Sequence, residues 1–126
     1  MKIIRLNKLT YVPGSHEDEK NPQVWKKVLL TYKDLISGRV QMINWAKLPV
    51  GKTFRAHYHE DLQEIFIILT GKAKITIGTE TAILTKGDTI VIPPKQIHQM
   101  TNVGKTTIEY IVIGITKEGK GKTRII

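Results

Sequence analysis

The sequence predicts an all-β fold, a sandwich or barrel of short strands. Its apolar residues alternate with polar ones or run in short β-branched blocks. Turns separate these blocks at Gly71-Lys72, Gly78-Thr79 and Lys86-Gly87-Asp88. No segment sustains a helical period, and only 21–27 and 33–37 invite a short turn of helix. The length of 126 residues suits one domain with its own hydrophobic core and no internal linker.

The first expected strand, 3–9, rests on Ile3, Ile4, Leu6 and Leu9. The polar stretch 14–22 is the only long loop and is expected to cover the barrel mouth. Strands at 25–32 and 40–45 mix aromatic and β-branched residues. Strand 54–59 ends in His57-Tyr58-His59, and 64–70 opens on Glu64. Short β-branched runs then follow at 73–77, 81–84 and 89–92, each closed by a turn. Strand 96–101 carries His98, and 107–115 is the last. Two runs, 65–69 and 110–115, are apolar throughout. With Glu64, Phe66 and Ile68 facing inward, Ile65, Ile67 and Leu69 face outward and need a second covering layer. Either another part of the chain covers them or, the reading preferred here, two barrels meet as a homodimer.

Three histidines and one glutamate fall inside two glycine-punctuated frames. The first runs Gly51, five residues, His57, one residue, His59, four residues, Glu64, six residues, Gly71. The second runs Gly87, five residues, Pro93, four residues, His98, three residues, Asn102. A His-x-His pair on a strand points both imidazoles to one face and turns Tyr58 to the other. A hairpin would lay the Glu64 strand beside that pair, and His98 would come from a distant strand. His57, His59, Glu64 and His98 thus form one candidate metal site. His16 lies in the polar loop and is expected to have no ligand role; Glu60 and Asp61 are expected to be solvated at a turn.

The two frames, with fifteen residues between them (72–86), resemble the motifs of the cupin superfamily, and of its compact single-domain microbial members in particular. That resemblance implies a double-stranded β-helix, or jelly-roll barrel, formed by a single cupin domain over 1–126, with motif 1 at 51–71 and motif 2 at 87–102; the charge pattern adds a flexible basic tail at 117–126. One departure stands out: cupins often place glycine where this chain has Lys95. Oxalate-decarboxylase-like cupins also carry an arginine three positions before the first ligand histidine, where Phe54 stands here, and Arg55 is one residue off. By strand parity Arg55 shares a side with His57, within reach of an anion at the mouth.

Three neutral imidazoles and a carboxylate form a set of borderline hardness that suits one divalent transition metal (Mn, Fe, Zn, Ni, Co or Cu) and leaves positions open for a bidentate oxygen ligand. The resemblance offers dioxygenases, small-acid decarboxylases, sugar-phosphate isomerases and non-enzymatic binding or sensory modules on one frame. Inward-facing Thr53, Gln63, Gln96 and Met100 are poor acids and bases, which favours dioxygen chemistry on a small anionic or vicinal-oxygen substrate. Arg55, Gln63 and Met100 are the candidate substrate contacts.

The net charge of +9 raises the question of nucleic acid, but the lysines are scattered rather than interleaved with aromatics. Only 117–124 reads as a basic tail, expected to be solvated and dispensable. Three Gly-Lys-Thr triplets lack the glycine that a phosphate loop requires five residues earlier. With no cysteine, no apolar run of membrane-spanning length and an opening segment broken by charges, the expectation is a cytoplasmic protein free of nucleic acid and membrane.

Overall fold

The computed structural model describes residues 2–36, 39–117 and 122–126. Eleven strands are present among them: β1 (Val12–Pro13), β2 (Trp25–Thr31), β3 (Val40–Leu48), β4 (His57–His59), β5 (Leu62–Thr70), β6 (Ala73–Ile77), β7 (Glu80–Leu84), β8 (Thr89–Ile92), β9 (His98–Asn102), β10 (Ile108–Thr116) and β11 (Thr123–Ile125). They form two antiparallel sheets, one in the order β1-β2-β3-β10-β5-β8 and the other in the order β11-β4-β9-β6-β7. The fold is a jelly roll, with the core between the sheets. Phe66 and Ile68 from the first sheet meet Ile75 and Met100 from the second, all at most 3% exposed.

Alternation governs the long strands. On β5, Leu62, Glu64, Phe66 and Ile68 are buried, and the residues between them are half-exposed. Gln63 therefore faces the opposite side from Glu64, contrary to the expectation that it points inward. On β10 the same rule buries Tyr110 and Val112 and turns Ile111 and Ile113 out. The register sets Ile111 against Ile67 and Trp45, and Ile113 against Ile65 and Ile43. The outer faces of β3, β10 and β5 thus make one continuous apolar surface.

Several expected elements are redrawn. Residues 3–9 form no strand; Leu6–Lys8 is a 3-10 turn, because Arg5, Asn7 and Lys8 break any apolar alternation. Strand β2 stops at Thr31, where the Asp34 carboxylate accepts the Thr31 backbone N–H and caps a turn over Tyr32–Asp34. Residues 54–56 lie outside the sheet, so the strand expected from Phe54 begins only at His57. The short strands β1 and β11 were not expected.

Lys95 is the one non-glycine residue with positive φ among the described residues, at 68°. It occupies the turn where the motif usually has glycine, and its N–H donates to the His59 carbonyl at 2.7 Å. A left-handed conformation costs a side chain about 1–2 kcal/mol, and glycine's extra freedom in the unfolded chain returns about 0.5–1 of that. Lys95→Gly is therefore expected to stabilise the protein by about 0.5–1 kcal/mol, read as a rise of a few degrees in the thermal midpoint.

Candidate metal centre

Strand β4 is only three residues long, yet it turns His57 and His59 inward at 1% and 6% exposure and leaves Tyr58 on the other side. His98 opens β9 and pairs directly with His57. Glu64 reaches the site differently from the hairpin expected. Its strand β5 belongs to the other sheet, because the chain crosses the sandwich at Glu60-Asp61 and re-enters at Leu62. The carboxylate meets the imidazoles across the core. Glu60 and Asp61 also do more than end a turn: Arg124 and the Lys122 N–H bond their carboxylates.

One ligand atom from each of His57, His59, Glu64 and His98 falls within 4.8 Å of all the others. The far nitrogens are anchored. His57 Nδ1–H donates to the Arg55 carbonyl at 2.6 Å and His98 Nδ1–H to the Gln96 carbonyl at 3.0 Å. Carbonyls only accept, so both neutral rings present a bare Nε2 to the centre. His59 Nδ1 instead meets the Thr123 hydroxyl at 2.9 Å, while its Nε2 lies 2.7 Å from Glu64 Oε1. A hydroxyl donates or accepts, so Thr123 suits either tautomer of His59.

These contacts test whether a cation fits. His98 Nε2 is buried 3.2 Å from Glu64 Oε1 but makes no hydrogen bond, because its Nδ1 holds the ring's proton. A lone pair facing a carboxylate at that distance calls for a positive group between them, and a divalent ion supplies it.

The electrostatics agree. Burial alone would raise the Glu64 pKa, but the hydrogen bond to His59 and the proximity of His59 and His98 outweigh it and hold the carboxyl below its usual range. Burial, with neighbouring His98, lowers the His57 pKa from 6.5 to about 4 despite the bond to Arg55. At neutral pH His57 and Glu64 thus stand in the deprotonated form that a metal takes.

His16 is the main surprise. The loop carries it onto the site, where it stacks on His57 with centroids 3.9 Å apart and planes 26° apart. Glu17 fixes the loop by accepting the N–H groups of Gln23, Val24 and Arg55. Burial, followed by the charge of His57, lowers the His16 pKa to about 3. The unfolded chain thus binds more protons than the folded one between pH 6.5 and about 4. In the metal-free protein this contribution is complete above pH 6.5, and on the order of 2 kcal/mol is expected to be lost for His57 by pH 5. Denaturant midpoints at pH 7.5 and pH 5 measure this, and the drop should be smaller in His16→Phe.

A cavity of about 240 Å³ rises from the cluster, lined by His16, Lys26, Asn44, Phe54, Phe66 and Tyr110 among others. The expected substrate contacts are absent from its wall. Arg55 is exposed, because residues 54–56 do not keep strand alternation and Phe54 takes the inward place. Met100 is fully buried in the core. Lys26, on β2, is the cation that lines the cavity. Asn44 was legible by parity, since Met42, Asn44 and Ala46 share a face of β3; Tyr110 lay hidden in an apolar run. Nothing in the sequence pointed to Thr123, whose strand is short and exposed.

A cupin-domain family model matches residues 44–114. This chain belongs to the cupin family. It is 34% identical over 82 residues to an uncharacterized protein of Methanocaldococcus jannaschii, covering 65% of this chain and 66% of that one. It is 30% identical over 82 residues to mannose-1-phosphate guanylyltransferase RfbM of Salmonella typhimurium, but that match covers only 17% of the transferase. Among solved structures, a predicted oxalate decarboxylase from Thermotoga maritima superposes on this cupin with a TM-score of 0.79 at 23% identity, covering 91% of this chain and 99% of the other. That likeness shows the shared jelly roll.

Proposed function

We propose that this cupin is a metal-dependent enzyme that acts on a small, oxygen-rich molecule held by two oxygens at the open positions of the centre. The observation that carries the reading is the convergence of bare imidazole nitrogens on a buried carboxylate at the floor of a cavity. A divalent transition metal bound there supplies a Lewis acid that polarises a carbonyl or enediol. A cavity of about 240 Å³ limits the substrate to metabolite size.

The lack of an inward acid in the sequence is offset by a hydrogen-bond donor on the cavity wall. Tyr110 is buried at 3% exposure, lines the cavity and has its pKa raised by burial and by the charges of Glu64 and Glu17. A phenol held neutral beside the polarised substrate oxygens donates a hydrogen bond to a developing enolate, which supports chemistry of the isomerase or decarboxylase kind. Metal analysis of protein purified without added metal tests the centre. Deuterium exchange into an enolisable oxo acid, without oxygen uptake, is the expected activity; stoichiometric oxygen uptake would return the reading to a dioxygenase.

We also propose a homodimer formed through the outer face of Ile65, Ile67, Ile111 and Ile113. Light scattering at micromolar concentration should give twice the chain mass, and a monomeric mass would refute it. No helix among the described residues is long and apolar enough to cross a membrane.

A further inference from the structure

The cavity wall supplied by β3 and β10 carries three polar side chains, Gln41, Asn44 and Tyr110. Asn44 is 7% exposed, and its Oδ1 is buried without a hydrogen-bond partner. Tyr110 is 3% exposed and presents a phenol on the same wall. Both line the cavity. The register pairs Tyr110 with Ala46 and Val112 with Asn44, which sets Asn44 and Tyr110 diagonally on one inward face. Buried polar groups are almost always paired, so the unpaired Asn44 Oδ1, with the Tyr110 phenol diagonal to it, marks where a bound molecule supplies a partner.

Their chemistry defines that partner. A phenol donates readily and a primary amide both donates and accepts, whichever way it is turned. A hydroxyl satisfies the pair, because it accepts from one and donates to the other. A phosphate does not, since it offers several acceptors, little donor capacity and about two negative charges. Lys26 is the one lysine or arginine among the cavity-lining residues, and its ammonium already bonds Ser15. Glu64 lines the same space.

We infer that Asn44 and Tyr110 form a hydroxyl-recognition site, which makes the substrate class a small hydroxylated oxo or hydroxy acid rather than a phosphate ester. The inference rests on the metal-chelating reading above, with the chelating end of the molecule at the centre and its free hydroxyl on the β3–β10 wall.

Pyruvate, hydroxypyruvate and phosphohydroxypyruvate share one chelating end and differ in what the third carbon carries. Calorimetric titration of metal-loaded protein should find hydroxypyruvate bound about tenfold more tightly than either of the others, as one good hydrogen bond to buried groups provides. The advantage should shrink to about threefold or less in Tyr110→Phe and in Asn44→Leu, with metal content and circular dichroism unchanged. Equal affinity for pyruvate and hydroxypyruvate, tighter binding of the phosphate ester, no binding of hydroxypyruvate at millimolar concentration, or an advantage that survives both substitutions would each overturn the inference. Loss of metal from the wild-type protein would instead remove the reading beneath it, and elemental analysis of the same samples separates the two failures.

Discussion

His59→Ala is expected to purify with essentially no metal, its affinity reduced by more than about 100-fold. Replacing a group that merely orients a ligand costs 10–100-fold, and this change removes a ligand itself. The effect reaches beyond the centre. His59 Nε2 lies 2.7 Å from Glu64 Oε1, and Glu64 is 6% exposed. Without His59 the carboxylate keeps only His98 as a partner, at 3.2 Å and without an aligned hydrogen bond. Losing a hydrogen bond to a buried carboxylate costs about 1.5–3 kcal/mol, so the metal-free variant should also unfold at lower denaturant. Elemental analysis and urea titration read the two effects separately. Full metal occupancy in His59→Ala would remove the assignment of the centre.

The second large effect lies where the sequence suggested none. Deleting residues 122–126 is expected to weaken metal binding about 10–100-fold and to destabilise the protein. These residues include β11, which pairs Thr123 with His59 and Ile125 with His57. The Glu60 N–H donates to the Lys122 carbonyl at 2.8 Å and the Ile126 N–H to the Ala56 carbonyl at 3.0 Å. Deletion strips this edge from a three-residue strand that carries two of the four cluster residues. The milder Thr123→Val removes only the hydroxyl facing His59 Nδ1; its metal affinity should fall about tenfold and recover in Thr123→Ser. Unchanged affinity in the truncated protein would restore the view of 117–126 as a dispensable basic tail. Residues 118–121 of that tail lie outside the described ones.

Much of the β pattern was legible because strand period and turn chemistry are local. The strands expected at 73–77 and 89–92 match β6 and β8 residue for residue, since each is a short β-branched run closed by a turn. Failures came where local pattern and tertiary pairing part company. The inward placement of Arg55 assumed an unbroken strand from Phe54 to His59, and the chain leaves the sheet over 54–56. Gln63 was assigned to the same side as Glu64, which alternation itself forbids. His16 looked like a loop residue and is one; only the folding of 14–17 over the site stacks it on His57.

By itself the sequence determined the cupin frame: glycine-punctuated spacing, two imidazoles on one strand face, and a carboxylate and a third imidazole at set distances along the chain. Those features are periodicities of a single chain segment and survive without knowledge of its neighbours. The tertiary structure decided how the four meet, with Glu64 arriving from the opposite sheet, and which side chains surround them. Tyr110, Asn44, Lys26, His16 and Thr123 are brought to the centre by strand pairing and loop closure between distant segments, 64 residues apart in the bond between His59 and Thr123. Contacts of that range depend on which strands become neighbours, and no local spacing of residues encodes that.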